Sequence, residues 1–173
     1  MNIFFIHSNP NKCAKYHSDK HVVKMILELT QLLTCAQYFN YDDNPPYVNC
    51  YKKTHINHPM AKWVRESYDN YLYTLLLAFE LCIEFKKRRN KIHACVYHLV
   101  KLHKLNKFTT NPINWDGKTR LILHNCPYNI TPIPMCMPDI YIKSCAVSSY
   151  RNYYKSKVDI NTWNWGRSKP KWY

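Results

Sequence analysis

Residues 9–39 read NPNKCAKYHSDKHVVKMILELTQLLTCAQYF, and their spacing predicts one long helix. Asn9 suits the N-cap, and Pro10 suits the first helical position, where a missing N–H costs nothing. Ala14, Val22, Met25, Ile26, Leu29, Leu33 and Ala36 recur at helical intervals and form an apolar stripe. Beside it His17, His21, Lys24, Glu28 and Gln31 follow at steps of four, three, four and three, which puts them on one helical face. A solvated face usually carries Lys and Glu in any order. Two imidazoles, an amine and a carboxylate along the edge of a core suit proton transfer and a grip on phosphate.

A second patterned segment follows, YKKTHINHPMAKWVRESYDNYLYTLLLAFELCIEFKKRRNK, residues 51–91. Asn57 or His58 caps a helix with Pro59 in its first turn. Met60, Val64, Tyr71, Leu75, Phe79 and Cys82 supply the apolar stripe, and His58, Lys62, Arg65 and Asp69 a polar one. His55 and His58 stand at the helix start, a position that favours anions. Lys86, Lys87, Arg88 and Arg89 close the helix and suit the negative end of its dipole. A third helix is expected over residues 91–106, with Ile92, Cys95, Val96, Leu99 and Leu102 inward and Lys101, His103, Lys104 and Lys107 outward. Between Lys86 and Lys107 there are eight Lys or Arg and no acid.

The flanks read differently. Residues 2–7, NIFFIH, are apolar and short, a strand or an extended arm tucked under the helices. YDDNPPYVN after the first helix is a loop. Five prolines between Pro112 and Pro138 preclude a long helix across 108–142. The aromatic and aliphatic content there argues for an ordered wrap, with Leu121–Leu123 a short strand or a turn of helix. A shorter helix is expected over 144–157, with Val147, Tyr150 and Tyr154 on one side and Arg151 and Lys155 on another. The tail interleaves Trp163, Trp165 and Trp172 with Arg167, Lys169 and Lys171, which suits stacking on bases or packing back on the body.

Composition bounds the partners. Lys and Arg total 25 against 11 Asp and Glu among 173 residues, a formal net charge of +14. Such a surplus suits a polyanion, nucleic acid first. The eight cysteines include no Cys-x-x-Cys pair, and those at 13, 35, 82 and 95 fall in helical patterns, so thiols in a reducing compartment are expected. The N-terminus turns polar too soon for a signal peptide. Glu80 and Glu84 interrupt the longest apolar run, so no membrane span is expected. Glycine occurs only at 117 and 166, which leaves no Gly-rich phosphate loop and implies no nucleotide cofactor. Lysine outnumbers arginine 19 to 6, with frequent Asn and Tyr, a bias that fits an AT-rich genome such as a virus's. One domain of three or four helices, mainly α, is the expected architecture.

The two His-bearing segments are expected to meet where the first helix crosses the start of the second. Glu28, His17, His21, His55 and His58 would then share a site, with Lys20, Lys24 and Arg65 supplying positive charge. Lys24 would serve as a Schiff-base amine if desolvated. The same residues would also make a buried network that only fixes helix packing. His17 and His21 at i, i+4 suit a metal weakly, and no thiolate or carboxylate pattern selects one.

These residues resemble a family of small proteins encoded by large DNA phages and giant viruses. The resemblance lies in the MNIFF-type arm, His17-x-Asp19-Lys20-His21-Val-Val-Lys24-Met-Ile-Leu-Glu28, and Thr54-His55-x-Asn57-His58-Pro59 with Trp63 and Arg65. It extends to Met137-Pro138-Asp139-x-Tyr141, Tyr150-Arg151-x-Tyr153-Tyr154 and the Trp-rich tail, and so covers nearly the whole chain. More distantly the layout is similar to pyrimidine-dimer DNA glycosylases of the endonuclease V type. That likeness implies a small basic helical protein of an infected cell that binds duplex DNA. It also implies base excision with AP-lyase chemistry, in which an amine attacks the sugar C1′. In those enzymes the amine is a processed N-terminus on a small residue, whereas here Asn2 follows Met1. Glu28, as the carboxylate late in the first helix, takes the acid/base role, and Lys24 or the N-terminal amine the nucleophile's. His17, His21 and His58 complete the catalytic set. Lys20, His55, Lys62 and Arg65, the block Lys86, Lys87, Arg88 and Arg89, and Arg151, Trp163, Arg167 and Trp172 form the expected DNA contacts. A non-enzymatic nucleic-acid-binding protein and a nucleotide- or base-modifying enzyme are the alternatives.

Overall fold

The structure is a computed structural model and describes residues 1–41, 51–105, 129–157, 163–166 and 169–173. The expectations for the loop after Tyr41, for Leu121–Leu123 and for Arg167 lie outside those residues. Among the described residues six helices follow in order: α1 (Pro10–Tyr16), α2 (Asp19–Asn40), α3 (Pro59–Glu66), α4 (Tyr68–Arg89), α5 (Cys95–Leu105) and α6 (Ala146–Lys157). A 3-10 turn at Asp139–Tyr141 precedes α6, and there is no strand among the described residues. The fold is mainly α.

The expected first helix is two. Ser18, extended at φ −65° and ψ 161°, caps α2 through its hydroxyl, which accepts from the His21 N–H. The ring Nδ1 of His17 bonds the Cys13 carbonyl four residues back, and so satisfies a backbone group that the broken helix leaves without an N–H. The second expected helix also divides, at Ser67, whose hydroxyl accepts from Asn70 N–H as the cap of α4. Both breaks follow one rule. A serine hydroxyl replaces a lost backbone partner, and the apolar stripe continues on the far side.

α2 and α4 run antiparallel. Gln37, near the end of α2, donates to the Tyr71 hydroxyl at the start of α4, and Asp19 at the start of α2 pairs with Arg88 at the end of α4. Leu29, Leu33, Leu75, Phe79 and Cys82 are sealed between them and their neighbours. Cys13, Cys35 and Cys95 are buried too, and the six described cysteines carry thiols, not disulfides. α5 adds Val96, Leu99 and Leu102 to this core. Ile92, expected inside, lies before α5 and is exposed, whereas His103, expected outside, is buried. Ile92 precedes the first turn of α5, and His103 stands four residues on from Leu99 and seven from Val96, on the buried face.

Residues 3–6 are an arm, not a strand. Ile3, Phe4, Phe5 and Ile6 are all buried. Side chains satisfy its backbone in place of a ladder: Arg151 Nε donates to the Ile6 carbonyl at 2.9 Å and the Tyr73 hydroxyl to the His7 carbonyl at 3.1 Å. The described part of the Pro-rich wrap is fastened by Asn70. Its amide donates to Thr131 Oγ1 and to the Trp63 carbonyl, and accepts from the Thr131 N–H. No described helix is long and apolar enough to cross a membrane.

Candidate active site

The arm, α2, the cap of α3, the wrap, α6 and Trp163 of the tail line a half-open cavity of about 490 Å³. One wall is polar. α2 contributes His21, Lys24 and Glu28, which lie on one face by helical spacing, and the cap of α3 contributes His58. The arm brings Met1 and Asn2 to the same wall. The Asn2 backbone N–H donates to Glu28 Oε2 at 3.0 Å, and Lys24 Nζ stands 3.6 Å from Glu28 Oε1. Asn2 is held there by its own side chain, whose amide donates to the Cys136 carbonyl at 2.9 Å. The other wall is aromatic, made by Phe4, Tyr153 and Trp163.

His58 has a defined tautomer. Its Nδ1 accepts the Met60 N–H at 3.2 Å, so the neutral ring carries its proton on Nε2. Burial holds its pKa below the ordinary value; the N-terminal ammonium and His55 push the same way and Glu28 opposes them. His17 and His21 are buried neutral rings. Burial lowers His17 to about 4, against its bond to the Cys13 carbonyl, and lowers His21 to about 3, with His17 and Lys24 adding to the effect. Among the described residues His17 Nε2 and His21 Nδ1 have no hydrogen-bond partner.

The other expected site residues distribute unevenly. His17 lies behind His21, 6.4 Å away between ring centroids. His55 is exposed, in a left-handed backbone conformation, bonded to the Thr54 hydroxyl. Lys62 is exposed, and Arg65 donates to the Ile56 carbonyl and stacks on Phe39. Lys24 is not desolvated: its side chain is 67% exposed. Lys20 stands over the Trp163 ring. At the end of α4, Lys86 is half-buried, Lys87 and Arg89 are exposed, and Lys87 reaches Glu84.

Three expected DNA contacts instead hold the fold together. The Arg88 side chain is 3% exposed. It pairs with Asp19 and Glu84 and donates to the Lys15 and His17 carbonyls, which α1 leaves open where it ends. A guanidinium so enclosed has no donors left to face a strand. Arg151 bonds the arm and lies over Trp172, and Trp172 packs edge-on to Tyr16 and Tyr154. In the described part of the tail, Trp163, Trp165 and Trp172 pack against the body.

Asn2, Phe4, Cys136, Tyr153 and Lys157 line the cavity but were not among the expected site residues. The repeated aromatic pattern Tyr150-Arg151-x-Tyr153-Tyr154 was the available signal, and it pointed to a face without saying what the face meets. Among the described residues no group of three His, Cys, Asp or Glu side chains is placed to hold a metal ion. No protein-family model, no curated protein and no solved structure matches the chain.

Proposed function

We propose that the chain acts on DNA as a base-excision enzyme of the glycosylase and AP-lyase kind, with the cavity as its active centre. The observation that carries this reading is the contact between the arm and Glu28. The first backbone nitrogen after Met1 is hydrogen-bonded to a carboxylate at 3.0 Å, on a wall that also carries Lys24 and His58. Removal of Met1 would make that Asn2 nitrogen, 3.0 Å from the carboxylate, the α-amine. Lys24, left in solvent, better serves as a phosphate contact.

The chemistry follows from the residues. An unprotonated amine attacks C1′ of a deoxyribose, forming a C–N bond as the glycosidic bond breaks and its electron pair leaves with the base. The nitrogen loses a proton and its lone pair then opens the sugar ring, breaking the C1′–O4′ bond as O4′ takes up a proton, which gives an iminium whose positive charge the Glu28 carboxylate stabilises. Removal of a C2′ proton by the same carboxylate or by water then expels the 3′-phosphate by β-elimination. His58 offers an Nε2–H to the departing group. The basic surface supports the choice of a polyanionic substrate.

A duplex with one abasic site tests the reading. The full chain is expected to nick it and leave an unsaturated aldehyde at the 3′ end of the upstream fragment and a 5′-phosphate on the downstream one. A duplex that is bound but stays intact would overturn the enzyme and leave a binding protein.

A further inference from the structure

Asn2 sits at the head of an arm that lies outside every described helix, so no ladder or helical turn aims its N–H. Side chains aim it instead. The Asn2 side chain uses both of its ends on backbone: its amide donates to the Cys136 carbonyl at 2.9 Å, and its Oδ1 accepts the Ile3 N–H at 2.8 Å. The Asn2 main-chain N–H is then directed at Glu28 Oε2. The Cys136 peptide is fixed in turn from its other end. Its N–H donates to the Tyr150 hydroxyl at 3.3 Å, and that hydroxyl donates to the Pro134 carbonyl. A phenol has one proton to give, so Asn2 Oδ1, 3.4 Å from the same oxygen, is a neighbour and not its main acceptor.

Tyr150 is fully buried and does not line the cavity. Burial pushes its pKa up, which keeps the proton on the oxygen for Pro134. Its hydroxyl reaches Glu28 through Cys136 and Asn2. We infer that Tyr150 is a positioning residue of the candidate active site: by fixing the Cys136 peptide of the wrap it clamps Asn2, and so holds the arm's nitrogen on Glu28. Its effect on rate rests on the excision reading above and deepens it, because it ties the wrap and α6 to the reacting nitrogen. A misplacement of about 1 Å at such a nitrogen costs up to about a hundredfold in rate.

The test pairs a readout of geometry with one of rate. Glutamate isotopically labelled at Cδ gives Glu28 a carboxyl resonance, assigned by its loss in Glu28→Gln. Tyr150→Phe removes the hydroxyl and keeps the ring. Asn2→Leu removes the amide at the other end of the clamp, and decides the matter if Tyr150→Phe does not fold. Tyr71→Phe is the matched control, since it removes a buried hydroxyl that bonds Gln37 and the Leu102 carbonyl, and none of these three residues lines the cavity. Tyr150→Phe and Asn2→Leu are expected to move the Glu28 resonance, and Tyr71→Phe to leave it in place. On abasic duplex, single-turnover nicking by the two clamp variants is expected to fall about ten- to a hundredfold at unchanged affinity, while Tyr71→Phe keeps the full rate. An unmoved resonance in a folded clamp variant overturns the clamp, whatever the chain does to DNA. A moved resonance with the full nicking rate overturns the positioning role. An equal movement in Tyr71→Phe marks a general loss of packing and overturns it too. A moved resonance confined to the clamp variants, in a chain that does not nick even when unsubstituted, keeps the clamp and overturns the excision reading.

Discussion

Glu28 receives the Asn2 N–H on one oxygen and the Lys24 ammonium near the other. Glu28→Gln keeps the shape of the side chain and removes its charge. Nicking of abasic duplex is expected to fall by about two to four orders of magnitude, with affinity nearly unchanged, as single-turnover and binding measurements would show. His17 and His21 make a second prediction, about stability. Both rings are neutral in the fold, at about 4 and about 3, against 6.5 when unfolded. The unfolded chain therefore binds more protons below pH 6.5. Their contribution is fully present above that pH and is lost as it falls toward 4, at about 1.4 kcal/mol per pH unit for each ring. Thermal melts between pH 7 and pH 4 are expected to show stability falling with pH, and His21→Phe to reduce that slope by about 1.4 kcal/mol per pH unit. At this scale the polar stripe His21, Lys24 and Glu28 was legible, because helical spacing alone sets a shared face. The neutrality of the two rings was not, since it depends on Phe4, Tyr154 and Trp163 closing over them from distant parts of the chain.

Among the elements, the end of α1 depends on the end of α4. Arg88 joins Asp19, Glu84 and two open carbonyls at one point. Arg88→Ala would strand buried charge, a change worth about 3–5 kcal/mol and a drop in melting temperature on the order of 10 °C. Lysine is not expected to rescue it, because an ammonium cannot reproduce the planar fork. Gly166 lies against the same guanidinium stem: a Cβ there would sit 2.9 Å from Arg88 Cγ, while the Gly166 N–H donates to Asp19. Gly166→Ala is therefore expected to lower the melting temperature measurably, and less so in an Arg88→Ala background. The apolar periodicity made the helical segments visible and hid their breaks, because the stripe runs on through Ser18 and Ser67. The basic last turn of α4 looked like a solvated face. Burial of one of its four cations depends on where α1 ends, and that break is what the periodicity hid.

For the whole molecule, charge and shape act together. With a net charge of +14, the proposed DNA binding is expected to weaken linearly with the logarithm of salt concentration. Lys20→Ala and Lys157→Ala are each expected to reduce that slope by about 0.9, the loss of one phosphate contact, in titrations followed by fluorescence polarisation. The charge surplus pointed to a polyanionic partner as an expectation, and the apolar periodicity disclosed the mainly helical fold. Neither disclosed that the arm and α6 reach the cavity, because those contacts join residues more than a hundred positions apart, as between Arg151 and Ile6. The central claim is that an amine at the head of the arm does chemistry beside Glu28, and borohydride trapping with peptide mapping tests it most directly. Reduction during turnover of an abasic duplex is expected to fix the sugar to the α-amine of the N-terminal peptide. A bound duplex that yields no adduct, or one attached outside the cavity, would contradict the claim.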